Sequence, residues 1–401
     1  MISYFIRHYK ETYYYAFANF LDRASYYGIR SLLVIYLMSD AFAFTEARAA
    51  HLLEVIFGAL IVSKVVGACL GDLLLGNKKT LILGGLLQAI GMFTLCISNL
   101  NSIYFSIALI VIGGGMFSPN ITSLFGKLYS QKSKLMDAGF TIFYTSIILG
   151  AFIGGVMLTS ANLTNIKYGF ILSGLMMLVS TFMCALTNNV EVDQEITAKE
   201  KKININVRIT QVVIAFILVG IFWFVYEFTS FNVADLQDKI SGEFWLDEEG
   251  TNWLATLKLV ITLLVAITAS IFWTNKYIHQ YKKMTFGFIL AGLSLALLLL
   301  LKSDISSSSN FALLVTIVMM SIGEIFIAPL LYSVLTKYGN PKYLAILISL
   351  SFIPSSFLMI KTPAIVNRLF ENSIIHFGLA SFIFFSFAFI SFILFKLYRK
   401  Y

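Results

Sequence analysis

The sequence predicts an all-α integral membrane protein with about twelve transmembrane helices in two six-helix bundles. Of its 401 residues, 58% are hydrophobic and only 12% are charged, whereas a soluble domain carries about 25% charged residues. The apolar segments are continuous and roughly 20 residues long. This length is typical of membrane-spanning helices and not of the alternating, roughly ten-residue strands of an outer-membrane barrel.

The apolar segments can be delimited in order along the chain. They predict spans at residues 12–38, 49–75, 79–98, 101–127, 136–160, 165–187, 208–231, 250–274, 284–302, 310–337, 342–362 and 373–395. An even number of spans places both termini on the same side of the bilayer. The short connections leave little room for a separate soluble domain.

The distribution of basic residues predicts which side this is. Most of the 29 Lys and Arg residues fall in the terminal segments and in every second loop, and few fall in the loops between. Because cytoplasmic loops are enriched in Lys and Arg, we expect both termini in the cytoplasm of a multi-pass protein of the plasma (cell inner) membrane. The net charge of +8 is therefore a topology signal and does not indicate a nucleic-acid partner.

The longest polar stretch between spans divides the chain into two halves. It runs from Asn188 to Asn206 and contains E-V-D-Q-E-I-T-A-K-E-K-K. Such a charged segment is typical of a solvated linker. We therefore predict an N-terminal six-helix bundle at 1–187, a cytoplasmic linker at 188–207 and a C-terminal six-helix bundle at 208–401.

A polar stripe runs along the first span. At 100° per residue, one helix face carries Asn19, Asp22, Arg23, Tyr26, Tyr27 and Arg30. A charge at membrane depth costs roughly 3 kcal/mol, so three charges on one face predict a functional site. The alternative is that the charges pair locally and only fix the packing of the helix.

Other spans carry isolated polar groups. Lys64 lies in span two, Glu227 in span seven, Lys258 in span eight and Glu324 in span ten. An intramembrane charge needs a partner or a wet cavity, so each is a candidate functional residue. The predicted substrate-binding residues are Tyr26, Tyr27, Arg30, Lys258 and Glu324, together with Asn120, which follows three glycines and a proline in span four, and Trp253 of span eight.

The turn between spans two and three resembles the loop motif of the major facilitator superfamily, which latches the inner gate. The motif stands here as Gly67, Gly71, Asp72, Gly76, Lys78 and Lys79. We expect Asp72 to face the Lys78–Lys79 turn. Leu73 replaces the arginine that usually follows the aspartate, which predicts a weakened latch.

Motifs in five spans resemble the proton-dependent oligopeptide transporter family of this superfamily. The family pattern E-x-x-E-R-F-x-Y-Y-G-x-R stands here as N-F-L-D-R-A-S-Y-Y-G-I-R at 19–30. The fourth-span pattern G-x-G-x-x-K-P ends in Ser118-Pro119, and the fifth-span signature begins at Phe143-Tyr144. The seventh-span pattern matches through Glu227, and the tenth-span pattern through Gly323, Glu324 and Pro329.

The resemblance implies proton-coupled uptake of di- and tripeptides by alternating access. Arg30, with Tyr26 and Tyr27 beside it, would hold the peptide carboxylate, and Glu324 would hold the amino group. Asp22, Arg23, Glu227 and Glu324 would couple transport to protons, and Arg30 with Glu227 would form the outer gate pair. No cofactor or metal is expected besides the proton, and the transporter is expected to be a monomer.

The departures from the family pattern keep two alternatives open. Asn19 and Asp22 replace two glutamates, Ser118 replaces a lysine, and Lys258 stands in place of an asparagine, where it could pair with Glu324. The chain could therefore be a facilitator or exchanger of another small amphoteric or anionic solute, or a non-transporting membrane sensor or assembly subunit. An enzyme is the least expected, because no nucleophile–base set or metal cluster converges in the spans.

Overall fold

The computed structural model describes residues 8–40, 42–160, 166–188, 204–241, 253–299, 307–353 and 373–398, and the regular structure within these ranges is helical. The helices are α1 (Lys10–Met38), α2 (Glu46–Cys69), α3 (Asn77–Thr94), α4 (Leu100–Leu128), α5 (Ser133–Ser160), α6 (Ile166–Ala185), α7 (Ile205–Ser241), α8 (Trp253–Asn275), α9 (Gln280–Leu298), α10 (Ser307–Tyr338), α11 (Pro341–Ile353) and α12 (Ser373–Tyr398). This order confirms the predicted fold class.

Nine of the helices in the described ranges are long and apolar enough to cross a bilayer. Helix α1 is not among them, because Asp22, Arg23 and Arg30 interrupt its apolar surface. The described part of α11 is shorter, and its first turn, Pro341–Tyr343, is a 3-10 turn. The stripe therefore lowers the membrane signal of α1 while leaving its helix continuous over 29 residues.

Helix α2 does not end at Cys69 but continues as a π-helical turn over Leu70–Leu75. The turn stops at Gly76, whose φ of 83° lies in the left-handed region. A residue with a Cβ adopts this conformation only at a cost, so glycine is the residue that ends the turn and lets α3 begin at Asn77. The predicted loop motif is thus built on a wide helical turn followed by a sharp reversal.

The chain contacts divide into two compact units. The first contains Met1–Val212 and Tyr332–Ser356, and the second contains Val213–Leu331 and Phe357–Tyr401. The C-terminal end of α10 and the described part of α11 therefore belong to the first unit. Because these units are defined by contacts and not by membrane topology, the predicted bundle boundaries stay a prediction.

In the first unit, α1 packs against α5 and α6, while α4 packs against α2 and α3. A single apolar core, including Tyr15, Leu32, Phe117, Phe125 and Phe170, fills the space between these helices. In the second unit, α9 packs against α12, and Phe222, Phe288 and Phe384 form an aromatic cluster with ring centroids 5.7–6.3 Å apart. Both cores consist of close-packed large side chains.

Candidate functional site

The first residue of the stripe is used for packing. Asn19 is 1% exposed, and its amide nitrogen donates to the Ser146 hydroxyl at 2.9 Å and to the Phe143 carbonyl at 3.3 Å. Both acceptors lie on α5. Asn19 therefore joins α1 to α5 and has a structural role.

The next two residues of the stripe form a buried ion pair. Arg23 Nη2 lies 3.1 Å from Asp22 Oδ2, and the same nitrogen donates to the Ser118 hydroxyl of α4 at 2.8 Å. Ser118 occupies the position at which the family pattern has a lysine. A serine there accepts a hydrogen bond from Arg23, whereas a lysine would bring a second positive charge.

Lys64 of α2 lies within electrostatic range of both Asp22 and Arg23. Its Nζ stands 3.9 Å from the ring centroid of Phe352 on α11. The Phe352 ring in turn lies 6.4 Å from that of Tyr332 on α10. We call Asp22, Arg23, Lys64 and Ser118 the charge cluster. It holds one carboxylate and two cations inside the first unit.

Arg30 lies two helical turns from Arg23, about 10 Å along the axis. Its guanidinium is 4.7 Å from the ring centroid of Phe57 on α2. The rings of Tyr26 and Tyr27 meet edge to face at 5.4 Å. Arg30 and Tyr26 border a pocket that is otherwise lined by apolar side chains of α1 to α4, among them Leu33, Phe57, Leu60 and Met92. The stripe therefore ends in a cation at the edge of an apolar cavity.

The predicted inner-gate motif forms a hydrogen-bonded network, but with a different cation from the one expected. Asp72 accepts from Asn77 Nδ2 at 2.9 Å and from the backbone N–H of Ile346 on α11 at 2.9 Å. Its ion pair is with Lys127 of α4, at 3.9 Å. Lys127 also donates to Asn77 Oδ1 at 2.6 Å. Lys127 thus supplies the charge that Leu73 does not.

The two lysines of the motif point elsewhere. Lys78 Nζ donates to the backbone carbonyl of Thr187, after the end of α6, and Lys79 is exposed. The expectation that Asp72 pairs with the Lys78–Lys79 turn is therefore wrong, because the ion-pair partner of Asp72 is Lys127. The physical reason is that Lys127 reaches Asp72 from the neighbouring helix α4.

Asn120, predicted to bind substrate, belongs to this network. It is 0% exposed, accepts from Asn77 Nδ2 at 2.8 Å and donates to the carbonyls of Gly67 and Met116 at 3.0 and 2.7 Å. A Cβ built on Gly71 would lie 1.9 Å from Asn120 Oδ1, so the glycine makes room for the amide. We call Asp72, Asn77, Asn120 and Lys127 the gate network. This placement favours a structural role for Asn120.

In the second unit, Tyr226 stands between two predicted site residues. Its hydroxyl donates to Glu324 Oε2 at 3.3 Å, and Lys258 Nζ lies 4.8 Å from its ring centroid. The contact expected between Lys258 and Glu324 therefore runs through Tyr226, which the sequence analysis did not select. Its position directly before Glu227 in F-W-F-V-Y-E was the available signal.

The predicted roles of two further residues, Glu227 and Trp253, are not tested by the described part of the structure. Glu227 is half-buried on α7 in the second unit, whereas Arg30 is in the first, so their gate pairing stays a prediction. Trp253 begins α8, but its side chain lies outside the described residues. The substrate-binding and proton-coupling roles of the predicted set likewise stay predictions.

Comparison with known proteins supports the resemblance read from the motifs. The profile of the Major Facilitator Superfamily matches residues 15–353. The di-/tripeptide transporter of Lactococcus lactis subsp. lactis (strain IL1403) is 35% identical over 173 residues, which cover 41% of this chain and only 35% of that transporter's length. The uncharacterized transporter YclF of Bacillus subtilis (strain 168) is 26% identical across 85% of this chain and 84% of its own.

Solved structures show the same fold. The structure of peptide transporter POT in complex with sulfate has a TM-score of 0.64 and 23% identity, and covers 96% of this chain and 94% of its own. The human organic anion transporter MFSD10 (TETRAN) has a TM-score of 0.68 at 13% identity, over 96% of this chain and 100% of its own. At these identities the similarity establishes the helical architecture, and the substrate has to be argued from the residues.

Proposed function

Because the chain belongs to the Major Facilitator Superfamily, whose profile spans residues 15–353, we propose that it is a secondary transporter that takes up di- and tripeptides with protons by alternating access. It is a multi-pass membrane protein. In this proposal both termini face the cytoplasm, the transporter acts as a monomer, and the proton is its coupling ion without any further cofactor.

The main observation in support of the proposal is that Arg30 borders the apolar pocket without a carboxylate partner among the described residues. Its guanidinium lies over the ring of Phe57, 4.7 Å from the centroid, and it forms no ion pair with any described carboxylate. A guanidinium without an ion pair can bind a planar carboxylate with two parallel hydrogen bonds. Arg30 therefore receives the substrate carboxylate, with the phenols of Tyr26 and Tyr27 beside it on α1.

Glu324 receives the substrate amino group. It is 7% exposed, and the hydrogen bond from Tyr226 orients its carboxylate. Lys258 Nζ lies over the ring of the same tyrosine, 4.8 Å from its centroid. A largely buried carboxylate attracts a charged amino group strongly, because opposite charges interact more strongly where water is excluded.

Proton coupling rests on the remaining carboxylates, Asp22, Glu227 and Glu324, because Asn19 cannot titrate. Arg23 Nη2 forms an ion pair with Asp22 and donates a hydrogen bond to Ser118. Protonation of Asp22 removes the ion pair and leaves Arg23 bound to Ser118 alone. A proton on Asp22 therefore frees Arg23 for another anion, which is the exchange that a proton-coupled carrier needs.

The test is uptake of Ala-Ala into proteoliposomes under an imposed pH gradient. We expect Arg30→Ala to abolish uptake while the protein still folds, and Arg30→Lys to retain part of it, because a lysine keeps the charge but not the bidentate geometry. Lys134→Gln, which changes an exposed lysine in the first turn of α5, is the matched control. The absence of gradient-driven uptake for every di- and tripeptide tried would reject the proposal.

A second candidate is an exchanger of a small anionic solute. The charge cluster favours it, because two cations face one carboxylate there. A thermal-shift panel of peptides, amino acids, nitrate and carboxylates separates the two candidates. Stabilisation by peptides beyond that by simple anions supports the first, and the reverse supports the second.

A further inference from the structure

Lys64 is a charged residue in a membrane-spanning helix of the first unit, and no role has been assigned to it above. It lies in the membrane-spanning helix α2 and is partly buried. Among the described residues it has neither a hydrogen bond nor an ion pair; its recorded contact is with the ring of Phe352 at 3.9 Å. Its nearest charges, Asp22 and Arg23, are already paired with each other at 3.1 Å.

The ring contact does not balance this charge. A cation over an aromatic ring gains about 1–2 kcal/mol, whereas a lysine at membrane depth costs roughly 3 kcal/mol on insertion scales. Asp22 cannot neutralise both Arg23 and Lys64. With both cations charged, the charge cluster therefore carries one positive charge in excess.

The surrounding contacts hold Lys64 in place. Ser63, the preceding residue, donates to the carbonyl of Val111 on α4 at 2.8 Å. One turn later, the carbonyl of Gly67 accepts from Asn120 at 3.0 Å. These two hydrogen bonds fix α2 against α4 on either side of Lys64. Their partners on α4, Val111 and Asn120, lie before and after Ser118 in the sequence. The buried Arg23 Nε also lacks a hydrogen-bond partner among the described residues, which leaves a second donor in the cluster for an anion.

We propose that Lys64 binds a second anionic group of the substrate, separate from the carboxylate held by Arg30, and that it makes the transporter prefer acidic substrates. Lys64 lies within electrostatic range of Arg23, and Arg23 lies about 10 Å along α1 from Arg30, so the two anion positions are separate. That the anion belongs to a peptide rests on the proposed function. That an anion binds at Lys64 rests on the charge cluster alone.

The experiment compares Glu-Ala with Gln-Ala, two dipeptides of nearly the same shape that differ by one charge. Affinities are measured on purified protein. We expect the wild type to bind Glu-Ala about 10-fold tighter than Gln-Ala, since a charge-assisted contact has this magnitude. Lys64→Gln should remove the difference by weakening Glu-Ala alone. Lys64→Arg should keep the difference, as should Lys134→Gln.

A second measurement tests the anion site when a variant fails to fold or when the protein binds no peptide. In thermal unfolding, sulfate should stabilise the wild type and Lys134→Gln, and Lys64→Met should lose this stabilisation while unfolding at no lower temperature without sulfate. If no dipeptide binds but the sulfate effect depends on Lys64, the peptide function fails and the anion site stands.

Three results overturn the inference. The first is equal affinity of the wild type for Glu-Ala and Gln-Ala, with both bound. The second is a preference for Glu-Ala that survives in Lys64→Gln. The third is a sulfate effect of the same size in Lys64→Met, or a lower unfolding temperature of that variant without sulfate, which would make Lys64 a structural residue.

Discussion

The gate network and the charge cluster are both groups of polar side chains that join α4 to its neighbouring helices, yet they differ in how completely their charges are compensated. In the gate network, Asp72 has a cation, an amide and a backbone N–H as partners. In the charge cluster, Asp22 Oδ2 and Arg23 Nε have no hydrogen-bond partner among the described residues. Compensated polar groups fix one conformation, whereas uncompensated ones are prepared for a ligand.

The largest effect is expected when the gate network loses its carboxylate. Asp72→Ala leaves Lys127 partly buried without its counter-charge and removes the acceptor at the start of α11. Removing one partner of such a pair costs about 3–5 kcal/mol, so we expect a clear fall in the unfolding temperature. The double variant Asp72→Leu with Lys127→Met should lose less than Asp72→Ala alone. An unchanged unfolding temperature of Asp72→Ala would show that the gate network does not stabilise the fold, contrary to the comparison drawn above.

A smaller effect is expected at Asn120, where the experiment distinguishes a structural role from the predicted role in substrate binding. Asn120→Ala removes three hydrogen bonds and leaves Asn77 short of one partner, at a cost of about 2–3 kcal/mol. We expect a lower unfolding temperature and an unchanged affinity for Ala-Ala. If the affinity fell while the unfolding temperature stayed the same, Asn120 would belong with the binding residues.

The smallest effect concerns His8, which precedes α1 and binds the end of α4 just after Lys127. Its Nδ1 lies 2.7 Å from the Tyr129 hydroxyl, and burial, with Lys132 nearby, lowers the pKa of His8 from 6.5 to about 4. The unfolded chain therefore binds a proton between pH 6.5 and about 4 that the folded protein does not. Its stabilising contribution is complete above pH 6.5 and is lost as the pH falls toward 4.

We expect this loss to amount to about 1–2 kcal/mol, visible as a steeper fall in unfolding temperature from pH 7 to pH 4.5 than in His8→Gln. The glutamine keeps a hydrogen-bonding group for Tyr129 but does not titrate. Parallel pH curves for the two proteins would show that the end of α4 is fixed by other contacts.

The helices and the polar stripe could be predicted from the sequence, because both follow from periodicity and composition along one segment. The partners of the stripe could not. Asn19 donates to groups of α5, and Lys64 approaches Asp22 and Arg23 from a different span. Periodicity tells which face of a helix a residue occupies, but not which neighbouring helix brings a group to that face.

The same limit explains the gate network. The motif from Gly67 to Lys79 indicated a latch, and the local sequence suggested Lys78 or Lys79 as the cation for Asp72. Lys127 is 55 residues further along the chain, and only the packing of α4 against α2 brings it to Asp72. Tyr226 was missed for a different reason: as a tyrosine beside the charged Glu227, it carried no charge signal of its own.

The contact between Gly71 and Asn120 has a consequence for the evolution of this sequence. Since the place of a Cβ at position 71 is taken by the amide oxygen of Asn120, any larger residue at 71 displaces that amide and disturbs Asn77 and Lys127 with it. We expect the two positions to vary together among close relatives, with asparagine retained at 120 only where glycine is retained at 71.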